Sequence, residues 1–265
     1  MTELSRTYKR TKRNLLKNRF LFEELVKRDF SHKYKGTFLG MGWSIMAPLL
    51  QLLVLKIVFT EFFGRSTPHF TIYLFSGVTV MNYYREATNN GMTSLVSNSS
   101  ILTKIKVPKY LFLLSRNVSA LVNYLIILVV YFVFCAMDHI NFHANFVMLI
   151  FPVMCLLIMN IGVGMVLSAL YVFFRDMTYL YSIFLMILNY LSAIFYTVDR
   201  FSPKVQRMFL ANPVYVIIRY FRLLVIDGVV PSLQYHALCA GYALFFLILG
   251  SIFYKSLNNK FAYYF

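Results

Sequence analysis

Residues 110–137 read YLFLLSRNVSALVNYLIILVVYFVFCAM, a continuous apolar stretch whose one formal charge is Arg116. A bilayer core about 30 Å thick is crossed by about 20 apolar residues of helix, and this run exceeds that length. Working outward from it, runs of the same kind occupy about 38–63, 70–90, 144–174, 178–197 and 233–254. The fold expected is therefore all-α and integral to the membrane, with six transmembrane helices, the first kinked at Pro48. Composition points the same way. Of 265 residues, 59% are hydrophobic and 14% charged, too few charges to cover the surface of a soluble domain this large.

The net charge of +16 is unevenly placed, with eleven of the 26 Lys and Arg residues in the first 35 positions. A basic flank beside a span matches anionic lipid headgroups, and this placement excludes nucleic acid as a partner. Residues 1–19 form a cationic tail. After it, Phe22, Leu25, Val26, Phe30 and Tyr34 recur at three- and four-residue spacing, with Glu23, Glu24, Lys27, Arg28, Ser31 and Lys35 between them. That pattern predicts an amphipathic helix in the membrane interface, or alternatively one packed on a soluble partner. Residues 1–37 thus make a basic tail and interfacial helix, ahead of a transmembrane domain over 38–265.

Six spans place both termini on one side. That side holds 19 basic residues against six opposite, and Lys56 falls within the first span. The positive-inside rule makes both ends cytoplasmic and the chain a multi-pass plasma-membrane protein. Five of the six outer cations fall within 198–232, beside Pro203, Pro213 and Pro231. So many charges outside predict partly buried helices at the outer surface rather than a plain loop. No short apolar core follows the basic N-terminus, so the first span is expected to act as the targeting signal.

Several chemistries lack their residues. There is no G-x-x-x-x-G-K-[ST] phosphate loop and no H-E-x-x-H. Asp138, His139 and His143 sit in a short outer turn and read as loop polarity rather than a metal site. Cys135, Cys155 and Cys239 lie singly in apolar runs, as small hydrophobes do. Arg85 and Glu86, at the polar end of the second span, read as interface anchors. Between spans two and three, Asn98 is placed to cap a short helix starting at Ser99. Ile101, Leu102 and Ile105 give it an apolar edge beside Lys104 and Lys106, and Pro108 closes it; such an edge invites a protein partner or re-embeds in the interface. Tyr190, Phe195 and Tyr196 on span five offer faces suited to sugar rings.

Four stretches together resemble the permeases of polysaccharide, O-antigen and teichoic acid ABC exporters, within the type-2 ABC permease family. They are KRDFSHKYKGTFLGMGW at Lys27–Trp43 with Pro48, NSSILTKIKVPK at Asn98–Lys109, FFRD at Phe173–Asp176, and Asn212–Pro213 followed by Arg222. The likeness runs over nearly the whole chain. It implies that the helix of Phe22, Val26 and Phe30 is a gate at the cytoplasmic intake, where Lys27, Arg28, Lys33 and Lys35 pair with a polyprenyl diphosphate. It implies that residues 97–108, including Asn98, Ile101, Leu102, Lys104, Ile105, Lys106 and Pro108, form the coupling helix seated on an ATPase subunit. It implies that Asn212, Pro213 and Arg222 belong to an outer re-entrant hairpin. The machine implied is a homodimer with two copies of a separate ATPase, which carries the ATP and Mg, moving a lipid-linked polysaccharide; this chain holds no cofactor and is not an enzyme.

Two rivals stand beside that reading. An exporter of drugs or small lipids shares the architecture without needing the basic interfacial helix. An integral-membrane glycosyltransferase or acyltransferase needs a catalytic carboxylate at a membrane boundary, and Glu61, Asp138, Asp199 and Asp227 are its scattered candidates.

Overall fold

A computed structural model of the chain describes residues 18–31, 33, 35–58, 68–104, 107–258, 261 and 264. The cationic tail to residue 17, Tyr34, Glu61 and the outer end of span one with its loop, Ile105 and Lys106 lie outside the described residues. Among the described residues every regular element is helical.

The interfacial segment is a helix over 18–31, α1. A short 3-10 turn, Gly40–Gly42, leads into α2 (Trp43–Ile57), which runs through the buried Pro48. Then come α3 (Phe70–Thr93), the four-residue α4 (Ser99–Leu102) and α5 (Tyr110–Met137). A 3-10 stretch, Ala144–Leu149, precedes α6 (Ile150–Phe173), and α7 (Met177–Leu191) follows a tight turn at Arg175–Asp176. The short α8 (Pro203–Phe209) and α9 (Pro213–Val225) meet at 106°, and α10 (Leu233–Leu257) closes the bundle.

Among the described residues, four helices are long and apolar enough to cross a membrane, or up to five if the bent α8–α9 pair counts as one span. They are Gly40–Ile57, Tyr110–Met137, Ala144–Phe173 and Leu233–Leu257. Two runs read as spans from the sequence fall outside this set. α7 is apolar but only 15 residues long, because the chain breaks after Leu191 and Ala193 takes a left-handed conformation (φ 49°). Phe195 and Tyr196 therefore lie beyond the helix, not on it. α3 is long enough yet carries Ser76, Thr79, Asn82, Arg85, Glu86, Thr88, Asn89 and Asn90. It tolerates them because it is the centre of the helix bundle, packed against α2, α5, α6 and α9, with protein rather than lipid as its solvent.

With lipid as apolar as the side chains, helices in a bilayer associate by close packing, and small residues let backbones approach. α6 shows this on two faces. A Cβ built on Gly162 would stand 2.3 Å from the Phe246 backbone of α10, and one on Gly91 of α3 would stand 3.1 Å from the Gly164 Cα. By contrast, α2 and α7 present uncovered apolar faces, with Leu50, Leu53 and Val54 on the first and Leu180, Ile183 and Ile187 on the second.

Candidate functional site

One end of the bundle is organised by α1. Its apolar face seats Leu25, fully covered, on Leu111 and Phe112 of α5, with Leu21, Phe22, Ile101, Leu102 and Val107 packed around them. Val26 and Phe30 are half-buried on the same helix. Its polar face is tied down by carboxylates. Asp29, with a side chain only 6% exposed, accepts hydrogen bonds from Arg28 (2.7 Å) and Ser115 (2.8 Å), and Arg116 Nε lies 3.8 Å away. Lys33 Nζ meets Glu86 of α3 at 2.6 Å, and the other oxygen of Glu86 accepts from Asn123 of α5 at 3.0 Å.

Two clefts open along this network and share Lys33, Glu86 and Asn90. One, of about 630 Å³, is lined by Arg28, Asp29, Arg116 and Asn98 among others. The second, of about 720 Å³, lies between α2, α3 and α5 and is walled by Trp43, Gln51, Asn82, Arg85 and Asn123. The first brings three cations together beside two carboxylates, and the second adds several side-chain amides and Trp43 to Lys33, Arg85 and Glu86. Phosphate oxygens suit the former, since guanidinium and ammonium groups make charge-assisted bonds to them; hydroxyl-rich ligands suit the latter.

Of the four cations predicted to meet phosphate, Arg28 and Lys33 line the first cleft. Lys27 instead bonds Glu24 along the exposed side of α1 at 2.9 Å, and that bond, then the charge of Glu24, raises its ammonium above the ordinary lysine value. Lys35 is exposed in the turn after α1. Sequence reasoning missed Asp29 and Arg116, and read Arg85 and Glu86 as interface anchors where the structure sets them on cleft walls. The signal available was a carboxylate inside an otherwise basic helix face: Asp29 is costly beside a membrane unless something pairs with it.

The segment between α3 and α5 departs from the expected shape. Its helix is the single turn Ser99–Leu102, inside the 97–108 foreseen. Asn98 precedes it, but its side chain donates back to Ser94 O (2.8 Å) and does not cap the turn. The reason is local: residues 94–98 are already helical or nearly so, which puts the carbonyl four residues back within reach. Ile101 and Leu102 pack toward α1, while Lys104 is exposed and Pro108 half-buried.

At the opposite end of the bundle, Asn212 Oδ1 accepts from Val214 N (3.0 Å) and Tyr215 N (3.3 Å), capping α9, and Pro213 fills its first position. Its amide reaches the end of α7 at Leu191 O, 3.1 Å. Arg222, 2% exposed, donates to Ala193 O (2.9 Å), Ile194 O (3.2 Å), Tyr73 O (3.1 Å) and Ser76 Oγ (3.3 Å), and lies 3.4 Å over the Tyr73 ring. Tyr190 is exposed, while Tyr196 donates to Tyr190 O (2.7 Å) and packs edge-on to Phe201 and Phe209. Phe195 stands 6.2 Å from the Tyr190 ring.

Against known proteins, a family model described as ABC-2 type transporter matches residues 21–226. The chain is 25% identical over 248 residues to an O-antigen export system permease protein, RfbA, of Klebsiella pneumoniae, covering 92% of this chain and 95% of that one. A second RfbA permease, from Myxococcus xanthus, is 24% identical, covering 94% and 97%. The polysialic acid transport protein KpsM of Escherichia coli is 23% identical, covering 88% and 92%.

Proposed function

The chain belongs to the ABC-2 type transporter family, and we propose that it is the multi-pass permease of an ATP-driven exporter of lipid-linked polysaccharide. The observation that carries this reading is the near end-to-end likeness to permeases named for O-antigen and polysialic acid. The cytoplasmic clefts suit that cargo: Arg28, Lys33 and Arg116 for a diphosphate, with an amide-lined neighbour for the adjoining sugar. ATP hydrolysis belongs to a separate ATPase subunit.

On this reading α2, α3, α5, α6, α7 and α10 are the six crossings, α8–α9 is the outer re-entrant hairpin, and both termini are cytoplasmic. α3 crosses inside protein, and α7 crosses with help from the turns at each end. Two copies pair through the uncovered faces of α2 and α7, each with an ATPase against the α4 segment. Tyr190, at the outer end of the α7 face with Phe195 and Tyr196 nearby, lines the passage.

Removing the gene and restoring it tests the cargo. Loss of surface glycan, with lipid-linked glycan held on the cytoplasmic side, is expected; normal surface glycan without the protein sinks the reading and favours a drug or small-lipid exporter. Gentle extraction tests the assembly: an ATPase should copurify at two subunits to two. Because Ile101 and Leu102 also support α1, the exposed Lys104 gives the cleaner docking variant. Lys104→Glu should lower ATPase copurification while leaving the permease folded.

A further inference from the structure

A third cleft, away from the intake network, sits where the cytoplasmic ends of α5 and α10 flank α6. Its volume is about 450 Å³, within the range of small-ligand sites. Lys109 and Lys255 stand on its rim, Val107 and Met165 form apolar wall, and Ser251 and Tyr254 complete it. Tyr254 is 92% buried, and among the described residues its hydroxyl has no hydrogen-bond partner. Ser251, exposed on α10, has the Met165 sulfur at 3.9 Å from its Oγ. The two ammonium groups of the cleft, with the exposed Ser251 hydroxyl beside them, suit a ligand with acceptor oxygens.

We infer that this cleft is a binding site for the phosphodiester headgroup of an anionic glycerophospholipid of the cytoplasmic leaflet.

Three further observations favour lipid over a soluble anion or a protein. The cleft lies at the ends of two of the longest apolar helices, 28 and 25 residues, which sets it at headgroup depth. Tyr110, exposed on its edge, is the residue type that anchors at that depth. The rim cations differ in kind: Lys109 is fixed, donating to Asn258 O at 2.7 Å and lying 5.2 Å over the Phe261 ring, whereas Lys255 is exposed. A held cation with an exposed one beside it grips a phosphate while the acyl chains follow the apolar wall outward.

The test uses the purified permease–ATPase complex in nanodiscs of phosphatidylcholine with a minority of phosphatidylglycerol. Lipid retained after transfer to detergent is counted by native mass spectrometry. Phosphatidylglycerol should be retained over phosphatidylcholine, and Lys255→Gln and Lys109→Gln should each weaken that preference about fivefold, the double variant about twenty-five-fold. Lys255 is the decisive position, because its side chain is exposed and its loss leaves the fold intact. Equal retention of both lipids, or an unchanged preference in Lys255→Gln, overturns the proposal. Displacement by inorganic phosphate as effective as by phosphatidylglycerol would assign the cleft to a bare anion and also overturn it. So would a Lys255→Gln complex that loses its ATPase while its lipid preference stands, since the cleft would then be a protein contact.

Discussion

The two ends of α3 handle charge in opposite ways. At its N-terminal end, proposed to be the outer one, the guanidinium of Arg222 is almost completely covered, and its acceptors among the described residues are three backbone carbonyls and one hydroxyl. At its C-terminal end, proposed to be the cytoplasmic one, Glu86, 23% exposed, faces Lys33, 37% exposed, across open clefts. Carbonyls cannot leave or change protonation, so the outer arrangement has one stable form and ties α3, α9 and the end of α7 into a unit. A half-exposed ion pair is weak and exchangeable, so an anionic ligand can compete for its lysine.

The contrast can be broken most severely at Arg222. Arg222→Ala should cost roughly 3–5 kcal/mol, because several buried acceptors lose their donor together; a melting temperature equal to the parent's would show that the outer end is not held this way. Arg222→Lys should recover little, lacking the fork that reaches separate carbonyls. Next in size is Gly162→Val between the two ends, expected to cost about 3 kcal/mol by forcing α10 off α6 and read from the same thermal unfolding. At the cytoplasmic end Asp29→Asn should cost about 2 kcal/mol, since the carboxylate is 6% exposed and accepts from Arg28 and Ser115. Smallest in stability is Glu86→Gln, at about 1 kcal/mol or less. Its effect should be on function, as a changed stimulation of ATP hydrolysis by lipid-linked glycan. If Glu86→Gln destabilises as much as Arg222→Ala, the two ends do not differ in kind.

How much of this was readable beforehand follows from what is local. Length and polarity suffice for the long helices that face lipid, and residues 110–137 emerge as one helix with those bounds. The Asn212–Pro213 start of α9 is just as local, cap and helix being neighbours in sequence, yet those residues stood out only through the resemblance. The end of α7 was not legible, because Ala193 and Ile194 are apolar and the group that takes up their carbonyls, Arg222, is nearly thirty residues away. The cleft network was equally hidden. Lys33 and Glu86 are separated by 53 positions and Asp29 and Ser115 by 86, so no periodicity links them. The Asn98 cap failed on a subtler point: its side chain had two backbone groups to choose from, and the preceding turn settled which.

One consequence of the Gly162 contact concerns the order in which the chain is made. α10 follows α6 in sequence, so it must find its seat on a helix synthesised before it. A seat built from bare backbone has no rotamers to freeze, so docking there costs less conformational entropy than interlocking long side chains would. It also needs no water to be expelled, which suits a solvent without a hydrophobic drive. The docking of α10 on α6 is therefore low in entropic cost and intolerant of a single added methyl group.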